Sequence, residues 1–210
     1  MEQRTVTRAY NFELRAENNE QNGDHIVGRP IVYNSKTDLG WFNEIIESGA
    51  LDEADLKDVR FLVNHNTDMI PLARSRNNNA NSTMQMIVDS EGMNIRVNLD
   101  TENNSDARNL YSAIKRGDIT GMSFMFSIDD EEWEDLQSDH PTRHIRKIGR
   151  VLEVSAVTFP AYEATEISAR DKEALDSAKA TLESVRSQTL DSEKAAALEL
   201  EKAKLRNKFF

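Results

Sequence analysis

DITGMSFMFSI, from Asp118 to Ile128, alternates large apolar residues at Met122, Phe124, Phe126 and Ile128 with Ser123, Met125 and Ser127. A period of two is the pattern of a strand with one face against a core. Ser123 therefore points away from the aromatic side, next to Gly121, which lets another chain approach closely. A rigid strand is a suitable mount for a nucleophile. A serine between apolar neighbours is also an ordinary structural residue, because a nearby carbonyl satisfies its hydroxyl. What would distinguish the two is a base, and a group to orient that base, elsewhere in the chain.

Immediately upstream, Ala107, Leu110, Tyr111 and Ile114 follow helical spacing between Ser105, which reads as an N-cap, and Gly117, a C-terminal stop. An amphipathic helix over Ser105–Arg116 thus leads straight into the Ser123 strand. Further back, VRFLVNHN places Val59, Phe61, Val63 and His65 on one expected strand face, with His65 at the strand end. A strand terminus holds a side chain rigidly yet leaves it open to substrate. Downstream, VLEVSAVTF (Val151 to Phe159) is apolar on both faces and reads as a central strand, stopped by Pro160 in FPAY. Glu153 stands in its middle. A carboxylate buried there costs several kcal/mol unless it is paired and hydrogen-bonded, so Glu153 demands a partner, and a histidine N–H is a fitting one.

The remaining segments supply the frame. Tyr10, Phe12 and Leu14 alternate in a first strand, Glu17–Asp24 reads as a loop, and His25–Tyr33 resumes as strand with Pro30 marking an edge or a bulge. Ile31–Leu51 reads as irregular loop followed by a turn of helix, anchored by Trp41 and Phe42, and Asp52–Asp58 as a short helix. Arg74–Ser82 reads as a surface loop. Met84–Leu99 alternates twice around DSEG, the signature of a hairpin. DDEEWED, six acids in seven positions from Asp129 to Asp135, reads as a solvated excursion that Trp133 folds back onto the body. From Asp171 onward the chain has no Gly or Pro and balances eight acids against eight bases, which predicts a long helix. Leu175 and Leu182 are out of phase with Leu198 and Leu205, so a partner-binding or flexible helical tail is expected rather than a continuous coiled coil.

Composition removes several functions. The 210 residues include no cysteine, excluding disulfides, thiolate catalysis and cysteine-built metal sites. No run of about 18 apolar residues occurs and the N-terminus is polar, so neither a membrane span nor a secretory signal is expected. With 37 acidic against 26 basic residues the net charge is −11, which argues against a sequence-independent nucleic-acid binder. The small basic groups around Arg76 and from Arg143 to Lys147 read as solvated loop charge. No GxSxG elbow and no Gly-rich cofactor cradle are present, and no cofactor or metal is expected.

Ser123, His65 and Glu153 together match the scheme in which histidine takes the serine proton and a carboxylate fixes the imidazole tautomer. Composition alone does not bring them together. The ordered blocks NSKTDLGWFNEIIESGAL (Asn34–Leu51), FLVNHN (Phe61–Asn66), GMSFMF (Gly121–Phe126) and LEVSAVTFPAY (Leu152–Tyr162) do more: they resemble the prohead proteases of tailed bacteriophages, serine endopeptidases of capsid maturation related to herpesvirus assemblin. The likeness runs from about residue 4 to residue 168. It implies a β-rich α+β fold, a partly closed and mainly antiparallel barrel with surrounding helices, in a protease domain over 1–168. Residues 169–210 form the charged helical tail, a docking or self-processed segment.

By the same resemblance His65 is the family histidine, Ser123 the nucleophile and Glu153 the third member. The herpesvirus relatives use a second histidine there, and His144 is the alternative. Glu153 is preferred because its burial needs a partner, whereas His144 stands in a polar stretch. Met125 departs from the glycine common at that place. The implied substrates are the scaffold protein or the scaffolding segment of the major capsid protein, with autocleavage, inside the procapsid in the host cytoplasm; a homodimer is allowed. Two competing functions are a non-enzymatic acidic scaffold component and a hydrolase of small esters.

Overall fold

The computed structural model describes residues 4–10, 14–19, 23–159 and 169–208. Eleven strands and two helices are built from them. In the larger sheet, β1 (Arg4–Tyr10), β10 (Gly121–Glu134), β11 (Thr142–Val157), β5 (Asn43–Ile46) and β4 (Thr37–Asp38) lie side by side. β6 (Asp58–Val63) joins the free half of β11, and β7 (Ala73–Arg76) joins β6. The smaller sheet runs β2 (Leu14–Asn19), β3 (Gly23–Val32), β9 (Gly92–Asn98), β8 (Met84–Asp89). The helix α1 (Ser105–Arg116) lies against β2 and β3. Among the described residues the two sheets do not close into a barrel, which corrects the closure expected from the resemblance.

β11 is the spine. Antiparallel β10 covers one edge along nearly its whole length, while β5 and β6 run parallel to it end to end on the other, at Thr142–Ile145 and Glu153–Ala156. Both edges being occupied, the upper half of β11 is buried almost without interruption from Glu153 to Val157, as the two-sided apolar pattern predicts. Met122, Phe124, Phe126, Val154, Ala156, Val59 and Phe61 are all essentially inaccessible. Phe124 and Phe126 stack at 4.8 Å between centroids. At about 25 cal/mol per Å² of apolar area removed from water, such a cluster dominates the stability of this sheet.

The helix α1 has the expected span, but its N-cap is Asn104, whose side chain accepts from the N–H groups of Asp106 and Ala107. Gly117, at φ 81°, closes it in the left-handed conformation. The β8–β9 hairpin is as expected, and Pro30 does sit beside a register shift between Gly28 and Ile31.

Other expectations fail for identifiable reasons. DDEEWED is no excursion: all but Asp135 is strand β10, because Glu131, Glu132 and Glu134 each find a basic side chain on β11, at Arg143, Arg146 and His144. Trp133 is buried against Trp41 and Phe42. Arg143 is fully buried rather than solvated. Strands β4 and β5 occupy the stretch read as loop and helical turn, residues 52–57 hold a turn and an isolated bridge rather than a helix with Asp58 already opening β6, and β7 takes up the start of the expected loop. β2 continues to Asn19 through the first part of another. Phe12, Asn22, the stop at Pro160–Tyr162 and the terminal Phe209 and Phe210 lie outside the described residues.

The chain divides into two compact units, Met1–Asp171 and Lys172–Phe210. Most of the second is helix α2 (Ala169–Lys208), which matches the predicted long helix. No helix among the described residues is long and apolar enough to cross a membrane.

Candidate active site

His65 is not on a strand. β6 ends at Val63, and Asn64 and His65 both take positive φ, 50° and 55°. Asparagine tolerates this region; histidine does so less readily, at a cost of about 1 kcal/mol. The turn is pinned to β11 by the Asn64 N–H on the Ala156 carbonyl at 2.9 Å and the His65 N–H on the Ser155 hydroxyl at 3.2 Å. The Asn64 side chain adds a reciprocal pair, donating to Thr158 Oγ1 at 3.0 Å and accepting from the Thr158 N–H at 2.9 Å. The chain thus reverses at a fixed point, and the imidazole is held above β11.

There His65 Nδ1 lies 2.5 Å from Glu153 Oε1. The Glu153 side chain is 4% exposed and that of His65 16%. A carboxylate only accepts, so Nδ1 carries the proton, and in the neutral ring Nε2 keeps the lone pair. The other carboxylate oxygen, Oε2, accepts from the Ser155 hydroxyl at 2.6 Å. The partner that burial of Glu153 required is therefore His65.

Ser123 is completely buried on β10, directly opposite Ser155 of β11 and Ala9 of β1. Opposed residues share a sheet face, with Cβ atoms about 5 Å apart. Ser123 is accordingly one cross-strand neighbour from the hydroxyl that touches both Glu153 and the His65 backbone. Its own hydroxyl donates to the Arg8 carbonyl at 2.7 Å. The structure thus joins His65 to Glu153, sets Ser123 alongside, and turns the Ser123 O–H toward β1. His144 lies elsewhere, its two ring nitrogens 3.1 Å from Glu47 and 3.2 Å from Glu134.

Two features escaped the sequence. Ser155 is one; its position two residues after Glu153, hence on the same strand face, was the available signal. The other is a buried ionic chain. The Arg8 guanidinium grips Glu44, donating from Nη2 at 2.7 Å, and Arg143 spans Glu44 at 3.3 Å and Glu131. Arg143 also stacks over Trp133. Burial alone would push the Glu44 carboxyl up; Arg8 and then Arg143 outweigh it and hold the group below its ordinary value. Arg143 is drawn down by burial, against the pull of Glu44 and Glu131. The carbonyl that receives Ser123 therefore belongs to a residue whose side chain is locked at the far end of this chain. Among the described residues no group of three or more His, Asp or Glu is arranged to hold a metal ion.

A family model described as Caudovirus prohead serine protease matches residues 10–180. Among solved structures, the bacteriophage T4 capsid assembly protease gp21 is similar at 13% identity, covering 73% of this chain and 99% of that one with a TM-score of 0.39. No curated protein matches.

Proposed function

The chain belongs to the caudovirus prohead serine proteases, and on that premise we propose that Ser123 is its nucleophile, His65 the general base and Glu153 the group that orients the base. The contact that carries this reading is His65 Nδ1 on Glu153 Oε1, 2.5 Å apart, beside the strand register of Ser123. Rotation of Ser123 about χ1, between staggered wells, takes its hydroxyl off the Arg8 carbonyl and aims it at the imidazole. Oγ then attacks the scissile carbonyl carbon while its proton passes to Nε2, and Glu153 stabilises the imidazolium. The tetrahedral intermediate expels the amine, which takes the proton from Nε2. Water hydrolyses the acyl-enzyme by the same route in reverse roles.

As a protease of capsid maturation, the enzyme has capsid and scaffold proteins as its substrate class. The scaffolding segment of the major capsid protein and the enzyme's own chain are the targets proposed within it. The helix from Asp171 onward, of distinct composition, is proposed to dock the protease in the assembling shell. A chain ending at Arg170 should then fail to be packaged into proheads, and normal packaging would exclude that role.

The opposing reading makes Ser123 a core serine of a scaffold component, satisfied by the Arg8 carbonyl as observed. Intact masses of the purified chain and its Ser123→Ala variant, each mixed with the capsid subunit, separate the two. The protease reading expects cleavage products only with the parent chain. Identical masses in both samples would leave the scaffold reading.

A further inference from the structure

The geometry points to Ser155 as a positioning residue of this enzyme, holding the carboxylate and the backbone of the base through one hydroxyl. The inference rests on the roles proposed above for Ser123, His65 and Glu153. Ser155 is fully buried near the C-terminal end of β11, between β10 and β6, with Ser123 opposite it on one side and Leu62 on the other. Its O–H is donated to Glu153 Oε2 at 2.6 Å, and its oxygen accepts the His65 backbone N–H at 3.2 Å. Both are needed. Oε1 is committed to the imidazole, and among the described residues Ser155 is the donor to Oε2. The His65 N–H belongs to a residue in left-handed conformation, where a buried donor without an acceptor would let the turn relax.

One hydroxyl thus fixes two of the distances on which proton transfer from Ser123 depends. The carboxylate cannot rotate about its last torsion without losing the Ser155 bond, and the imidazole cannot swing out without its main chain leaving the Ser155 oxygen. Two charged groups on the flanking strands have carboxylate partners elsewhere. Arg60, in register with Glu153 on β6, reaches Asp58 at 3.2 Å, and Arg8 on β1 is held by Glu44. A neutral donor on Oε2 also spreads the carboxylate charge. Without it the charge concentrates on Oε1 and the imidazolium is bound more tightly.

The test uses a fluorophosphonate on the full chain. Ser123 Oγ bonds to phosphorus, fluoride leaves, and the serine proton goes to His65, so the labelling rate reports activation of the nucleophile without a peptide substrate. Ser155→Ala is expected to lower that rate about tenfold, the order of one hydrogen bond to a charged group, and to move the midpoint of its pH profile upward. Ser155→Thr, which keeps the hydroxyl, should restore both. With four histidines in the chain, the Nδ1 proton of His65 can also be followed by NMR, and its downfield signal should shift in Ser155→Ala and return in Ser155→Thr. If Ser155→Ala does not fold, Ser155→Cys, a weaker donor of similar size, should show the same changes in smaller degree. A folded Ala or Cys variant with parental rate and profile would overturn the inference. Labelling that survives Ser123→Ala and His65→Ala would overturn the proposed roles instead.

Discussion

His65 and Glu153 show how an isolated carboxylate in an apolar run can be read as a demand for a partner. VLEVSAV predicted burial, burial predicted a donor, and the donor is the histidine that ended the other apolar run. The reading of His65 as the last residue of β6 was mistaken, since period-two counting cannot register a turn that begins at Asn64 with positive φ. Glu153→Gln tests the carboxylate without changing its size. The amide can accept from Nδ1 through its oxygen but brings no charge to stabilise the imidazolium. We expect the fluorophosphonate labelling rate at neutral pH to fall by about 10²–10⁴, with the thermal midpoint little changed.

At the scale of elements, the short-range signals were legible: the α1 periodicity, the β8–β9 hairpin and the paired apolar faces of β10 and β11. The acidic end of β10 was not, because its charges are solvated only if nothing opposes them. What opposes them is a row of basic side chains 10 to 14 residues later on β11, and a local window sees charge without its partner. The two strands also slip register where Asp129 meets Gly149. A Cβ on Gly149 would lie 2.2 Å from Asp129 Oδ1, the end of an exposed side chain rather than backbone. Gly92 is different: at φ 141° its Cβ would meet the Ile31 carbonyl oxygen at 2.0 Å, which is backbone. Urea unfolding should therefore find Gly149→Ala within about 1 kcal/mol of the parent and Gly92→Ala destabilised by about 2 kcal/mol or more.

Across the whole molecule, the Arg8–Glu44–Arg143–Glu131 chain ties β1, β5, β11 and β10 together through buried charge. Nothing in the spacing of residues 8, 44, 131 and 143 announced it, since each comes from a different strand and only the sheet order makes them neighbours. Its pH dependence has a definite sign. With the Glu44 carboxyl held below its ordinary value in the fold, the stabilisation is complete above the ordinary carboxylate range, near 4.3, and is lost as pH falls through the depressed folded value. Glu44→Gln leaves two buried guanidinium groups short of a counter-charge, so it should cost about 3 kcal/mol near neutrality. Its urea midpoint should then decline less between pH 6 and pH 3 than that of the parent. Asp24, Asp58 and Asp89, also held low by their hydrogen bonds, keep the remaining slope from vanishing.

Among the described residues β1 is a border strand, seven residues long, paired to the sheet along one side only. Yet its fifth residue is plugged at both ends, main chain to the serine, side chain to the interior. A nick or a bulky fusion that peeled this ribbon away would release the hydroxyl and unseat the charges in a single stroke. Damage at the rim would then be felt at the reactive centre sooner than damage to many residues that lie deeper.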